Sequence, residues 1–348
     1  MMSYFRENIE KIAGYTPGFQ PDSTDVVKLN TNENPYPPSP RVIEAIRNIG
    51  PESLRRYPQP LGNEFRRAAG KVLGVPEEYI MCTNGGDDLL TICFRALCDD
   101  NRAVAYPEPT YSLYPVLADL QGCSTIEIPY ESDDLIEELA GTGAALTIIC
   151  NPNAPTGAFF DVGRMAKLAG KLTGVLLVDE AYVDFADDNC LRLVEDFENI
   201  IILRSMSKGY SLAGIRFGYA VAKPAIINEL VKVKDSYNVD AMATTAAAAA
   251  IGDQEYFRQN IEKIISERKK LTSELKSLGF NVSDSSANFI LAECSDRDAA
   301  GIYDKLAQKN IYVRYFDLPG LSDKLRVTVG TEAQNEILIC ALKEICGN

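Results

Sequence analysis

Lys208 stands in the stretch RSMSKGYSLAGIRFGY, residues 204–219, directly after the apolar run NIIIL. A lysine between two serines and a glycine, where a strand ends, is either a solvated charge or a nucleophile held in place. Two chemistries suit it. SMSK fits the S-x-x-K pattern in which a lysine activates a serine for acyl transfer. That pattern comes with SDN and KTG elements, and the nearest strings here, SDD at Ser132 and KLTG at Lys171, match neither. The second chemistry is a Schiff base between the amine and a carbonyl compound.

A Schiff-base lysine that works with a cofactor such as pyridoxal phosphate asks for an anion site and for a partner to the ring nitrogen. Ser205, Ser207 and Arg216 flank Lys208 with hydroxyls and a guanidinium suited to phosphate oxygens. Gly85 and Gly86 lie between a strand and a helix beginning near Asp87, where backbone N–H groups at a helix N-terminus bind anions. Asp179 ends the buried run GVLLVD, and a carboxylate there needs a positive or hydrogen-bonding partner. A protonated pyridinium meets that need; a cap on the following EAYVDF segment is the alternative. Tyr111, in PEPTYSLY, stacks on a cofactor ring or packs as ordinary core.

The chain contains no histidine, which excludes Ser-His-Asp triads, Cys-His pairs and HExxH zinc sites and leaves proton transfer to lysine, tyrosine and carboxylates. Its nine cysteines form no C-x-x-C pair, so neither a disulfide framework nor a zinc ribbon is indicated and no metal is expected. A net charge of −14 argues against a nucleic-acid partner. No apolar run reaches the ~20 residues of a membrane span, and the N-terminus lacks the pattern of a signal peptide. The expectation is a soluble, cytoplasmic protein with no membrane partner.

These side chains need strand ends to hold them. From Leu61 onward, helical GNEFRRAAGKVLG, DDLLTICFRALC, SLYPVLADLQ and DVGRMAKLAGKL alternate with strand-like YIMCT, RAVAY, STIEIPY and AALTIIC. Such alternation predicts βαβ units around a parallel sheet. The runs GVLLVDEAY, NIIILRSMSK and RFGYAVA are apolar on both faces and predict central parallel strands, with ligands at their carboxyl ends. LNTNENPYPPSP, with prolines at 35, 37, 38 and 40, reads as an extended crossing between domains. Alanine-rich AMATTAAAAAIG predicts a close-packed helix, followed by a long helix from Glu255 and a smaller α/β lobe. The domains expected are an N-terminal segment and crossing over 1–50 that packs with the small domain, a large domain over 51–250, and a small C-terminal domain over 251–348.

NPNAPTG, DEAY, SMSKGYSLAGIRFG and LRVTVGT occur in an order that resembles the fold-type I pyridoxal-phosphate aminotransferases. With LNTNENPYPPSP, RRYPQP and PTYSLY, the similarity runs from about Tyr15 to the C-terminus and narrows to the histidinol-phosphate aminotransferase family. The resemblance implies an α/β fold with a large cofactor domain, and pyridoxal 5'-phosphate joined to Lys208, whose amine then moves the proton at the substrate Cα. It implies that Asp179 pairs with the pyridinium, Tyr182 donates to the phenolic oxygen, and Tyr111 stacks on the ring. Gly86, Asp87, Ser205, Ser207 and Arg216 would hold the phosphate, with Tyr57 reaching across from the neighbouring subunit of a homodimer. Tyr15, Arg314 and Arg326 would position the substrate phosphate. The resemblance also implies a second donor to the phenolic oxygen, the asparagine common in the family directly before PTG; that position is Ala154 here, with Asn153 one residue earlier as a candidate substitute. The implied reaction is transamination between glutamate and imidazole-acetol phosphate. Relatives with the same motifs act on aromatic amino acids or decarboxylate threonine phosphate, and a cofactor-binding protein without turnover is the non-enzyme alternative.

Overall fold

A computed structural model describes residues 4–23 and 25–347; the first three positions of the N-terminal segment and the last of the C-terminal one lie outside it. Seven strands form the main sheet, in the spatial order Ile80–Thr83, Gly218–Ala222, Ile200–Ser205, Val175–Asp179, Leu146–Cys150, Val104–Glu108 and Thr125–Pro129. The central runs are apolar on both faces because helices cover both: Leu176, Leu177, Val178, Ile200, Ile201 and Ile202 are fully buried, and separate apolar clusters fill the two sides of the sheet. Only the edge strand Thr125–Pro129 alternates in exposure.

One strand corrects the expectation. Gly218–Ala222 runs antiparallel to both of its neighbours, not parallel. Its link from Ser205 contains one three-residue 3-10 turn, Ala213–Ile215, and no crossover helix, so the chain doubles back and Ser205 pairs with Gly218. That link carries Lys208 and Arg216.

The helices Asn63–Leu73, Gly86–Leu97, Leu113–Gln121 and Val162–Lys171 stand where the apolar spacing predicts them. The alanine-rich segment is the helix Ala241–Ile251, capped by Asp240, whose Oδ1 accepts the Ala243 N–H at 2.7 Å. Its small side chains let it pack closely on the helices Pro40–Arg47 and Asn63–Leu73. Beyond the long helix Gln254–Ser277, a four-stranded antiparallel sheet orders Arg314–Tyr315, Lys324–Thr328, Phe289–Glu293 and Asn281–Val282 over a third apolar cluster. The N-terminal segment serves both parts: Val27–Lys28 pairs in parallel with Ile311–Tyr312, whereas Pro40–Arg47 packs on the alanine-rich helix.

Candidate active site

The carboxyl ends of the central strands open into a cavity of ≈ 290 Å³. Asp179, the last residue of its strand, lies at the base and is 4% exposed. Its Oδ2 accepts the Tyr114 hydroxyl at 2.7 Å and its Oδ1 the Ala181 N–H at 3.1 Å. Burial raises its pKa to about 6, with Asp87 and Glu180 adding to the effect and the Tyr114 and Ala181 bonds opposing it. Each carboxylate oxygen keeps a lone pair for a further donor from the cavity.

Lys208 lines the same cavity from the link described above. Its Nζ donates to the Thr31 carbonyl at 3.2 Å, and its own carbonyl and that of Gly209 each accept from Asn34 Nδ2 at 3.1 Å. Burial, and next the Arg326 charge, bring the amine down to about 8; Arg216 works in the same direction, and Glu33 and Asp87 oppose. A lysine so placed reaches its neutral, nucleophilic form far more readily than a solvated one. Beneath the link, Arg204 pairs with the fully buried Glu180 at 2.6 Å, and Glu180 also accepts the Cys190 N–H at 2.6 Å. That pair ties the strand carrying Asp179 to the strand that leads into Lys208.

A candidate anion site lies at the start of the helix Gly86–Leu97, whose first N–H groups have no partner within the helix. Gly85 precedes it with φ 88° and ψ 175°, a conformation almost confined to glycine, and a Cβ there would lie 2.9 Å from Arg216 Nη2. Arg216 itself is left-handed at φ 56°, which turns its guanidinium toward Ser207 Oγ at 3.5 Å and Asp87 Oδ2 at 3.4 Å. Ser205 Oγ accepts the Ser207 N–H at 3.2 Å. The Asp87 carboxylate is engaged with Arg216 and with the Tyr111 hydroxyl at 3.3 Å, so what this residue offers an anion is its main-chain N–H.

At the other end, Arg314 and Arg326 are directly opposed in register on neighbouring strands. Cross-strand partners share one face of a sheet, so the two guanidiniums converge. Phe316 lies close to both, 5.1 Å from the Arg314 carbon Cζ and 5.3 Å from that of Arg326. Among the described residues neither arginine pairs with a carboxylate, and the buried Nε of Arg326 has no partner. Tyr15 meets Tyr111 edge to face at 5.9 Å, closing the wall between this end and the anion site.

The sequence itself decides what such a site belongs to. The family model "Aminotransferase class I and II" matches residues 24–342. A histidinol-phosphate aminotransferase of Trichormus variabilis is 49% identical over 99% of both chains, and one of Citrifermentans bemidjiense is 44% identical over 99% of both. The chain belongs to the histidinol-phosphate aminotransferases, within the class I and II aminotransferases. Its fold matches the crystal structure of the Sinorhizobium meliloti histidinol-phosphate aminotransferase in complex with pyridoxal-5'-phosphate, at a TM-score of 0.90 and 25% identity, over 100% of this chain and 98% of that one.

In this aminotransferase the cavity gathers Tyr15, Gly86, Asp87, Tyr111, Asp179, Tyr182, Ser205, Ser207, Lys208, Arg216, Arg314 and Arg326, all singled out in the sequence. Two others lie elsewhere. Asn153 is buried and not among the residues lining the cavity: its amide donates to the Pro109 carbonyl at 3.0 Å and to Thr156 Oγ1 at 2.9 Å, whereas Ala154 does line the cavity. Tyr57 lies outside it too, 80% exposed and stacked on Tyr237 at 4.4 Å. Sequence reasoning missed Tyr114, hidden within the period of a helix, and Asn32 and Asn34, in a loop read for its prolines and as a family motif with no role given to its asparagines. The repeated asparagines of LNTNENP were the signal available.

Proposed function

We propose that the chain transfers an amino group between glutamate and imidazole-acetol phosphate, giving L-histidinol phosphate and 2-oxoglutarate, with pyridoxal 5'-phosphate held in the cavity. The donor set fits that cofactor. The cavity holds a buried carboxylate with spare acceptor capacity, an amine of lowered pKa, and a glycine-led helix N-terminus with two serines and an arginine. When bound, the cofactor supplies the conjugated ring that takes up the electron pair released at the substrate Cα. Asp179 would hold the proton on the ring nitrogen, and Tyr182 would donate to the phenolic oxygen. Tyr111 would cover the ring face, and Lys208 Nζ would carry the proton from Cα. Gly86, Asp87, Ser205, Ser207 and Arg216 would keep the phosphate in place throughout.

The observation that carries the choice of substrate is the opposed pair Arg314 and Arg326, free of carboxylate partners. Two guanidiniums on one face suit a phosphate dianion, and histidinol phosphate has no α-carboxylate to claim either of them. Action on aromatic amino acids, decarboxylation of threonine phosphate and binding without turnover are not favoured, because the full-length relatives at 49% and 44% identity are named histidinol-phosphate aminotransferases. The reading includes a cytoplasmic homodimer in which Tyr57 reaches the partner's phosphate site, and a division into a cofactor domain over 51–250 and a small domain over 251–348.

Added pyridoxal phosphate is expected to give the purified protein a visible absorption that Lys208→Ala abolishes. Glutamate-coupled assays are expected to favour histidinol phosphate over phenylalanine and tyrosine. Equal rates on all three would sink the substrate assignment, and an unchanged spectrum in Lys208→Ala would sink the role of the lysine.

A further inference from the structure

We infer that Asn32 is a positioning residue that polarises Tyr182, so that this one hydroxyl serves the cofactor's phenolic oxygen where Ala154 offers no side-chain donor; the inference rests on the pyridoxal-phosphate reading above. Asn32 is 1% exposed and lines the cavity. Its Nδ2 donates to the Tyr182 hydroxyl oxygen at 3.0 Å. The amide cannot be turned the other way without loss, because Thr328 Oγ1 donates to Asn32 Oδ1 at 3.0 Å while accepting the Asn32 main-chain N–H at 3.0 Å. Asn288 adds a bond to the Asn32 carbonyl at 3.0 Å. The backbone at Asn32 is left-handed, φ 57°, a conformation asparagine tolerates better than other residues with a side chain.

An amide NH₂ only donates, so Tyr182 is the acceptor in this bond and its own proton points to a different partner. The cavity lies open to it. A hydroxyl that accepts one hydrogen bond donates a stronger one, which is the effect required when a single donor stands where two are usual. The ionisable groups facing Tyr182 are Arg326, Cys150, Asp179, Tyr111 and Lys208, the last 5.5 Å from its ring centre. Burial holds the phenol up to about 12, against the opposing influence of Arg326 and the Asn32 bond, so Tyr182 keeps a proton to give at neutral pH.

The test uses the cofactor-loaded protein without substrate and follows the pH at which its visible absorption changes, which reports the proton on the Lys208 nitrogen. A donor at the phenolic oxygen withdraws electron density from the conjugated system and lowers the proton affinity of that nitrogen, so weakening the donor raises the midpoint. Asn32→Gly keeps the left-handed backbone and removes only the amide; it is expected to raise the midpoint by about 0.5–1 pH unit, the worth of one hydrogen bond. In a Tyr182→Phe background the same change is expected to add nothing. Thr328→Val, which frees the amide to turn, is expected to shift the midpoint in the same direction, again only when Tyr182 is present, and it carries the test if Asn32→Gly does not fold. An unmoved midpoint, or an equal shift in the Tyr182→Phe background, would overturn the role of Asn32 alone. Absence of any visible absorption in the unaltered protein would overturn the cofactor reading as well.

Discussion

Burial brings both ionisable groups at the base of the cavity toward neutrality, Asp179 up to about 6 and Lys208 down to about 8. The chain has no histidine, so no imidazole masks their titration. The folded, cofactor-free protein holds the Asp179 proton up to about 6, whereas the unfolded chain releases it near the ordinary 3.8. The folded state therefore binds more protons between those values, and stability falls as pH rises through that window; partly buried Asp184, also raised to about 6, adds in the same direction. Lys208 acts with the opposite sign. The folded state gives up its proton near 8 and the unfolded chain keeps it to 10.5, so stability rises with pH between the two. Denaturant unfolding of the cofactor-free protein across pH is expected to show both slopes. Asp179→Asn should flatten part of the acid limb, and Lys208→Met should remove its share of the alkaline one; profiles unaltered by either substitution would contradict the assignment.

Gly85 and the link between Ser205 and Gly218 convert sheet ends into a site. Gly85→Ala is expected to cost ~1–3 kcal/mol in stability for the strained backbone, and to weaken cofactor binding as the new Cβ drives Arg216 aside. Denaturant unfolding and cofactor titration read the two effects separately, and undiminished cofactor affinity would show that Arg216 does not need its present position. The strands and most helices were legible because their apolar runs and spacings are strong local signals. The direction of Gly218–Ala222 was not, since a central strand is apolar on both faces whichever way it runs. The site was legible at Lys208, Asp179, Arg216 and the glycines, whose chemistry is unusual at strand ends. It was silent at Tyr114, where the apolar spacing of a helix accounts for the residue, and at Asn32, whose partners lie in distant sequence. The hydrogen bonds of Asn153 to the Pro109 carbonyl and the Thr156 hydroxyl are contacts that only the folded chain reveals.

Tyr57 lies beyond the cavity, and its surroundings indicate why. Leu54, Tyr57 and Met242, all exposed, line one depression together with Arg55, Arg56 and Asp240, and exposed apolar residues grouped beside charged ones suit a protein interface. Sedimentation is expected to give twice the 38.2 kDa chain mass, and a mixture refolded from Lys208→Ala and Tyr57→Ala chains should exceed the summed activity of the two alone. A monomer that shows no such complementation would exclude shared sites. The pairing of Asn32 with Thr328 joins residues 296 positions apart, and Val27–Lys28 finds its partner strand only at Ile311–Tyr312. A nascent or prematurely ended chain that stops short of Ile311 lacks both opposed arginines and the hydroxyl that steadies Asn32. A chain cut short there keeps Lys208 and Asp179 but loses both guanidiniums proposed to hold the substrate phosphate.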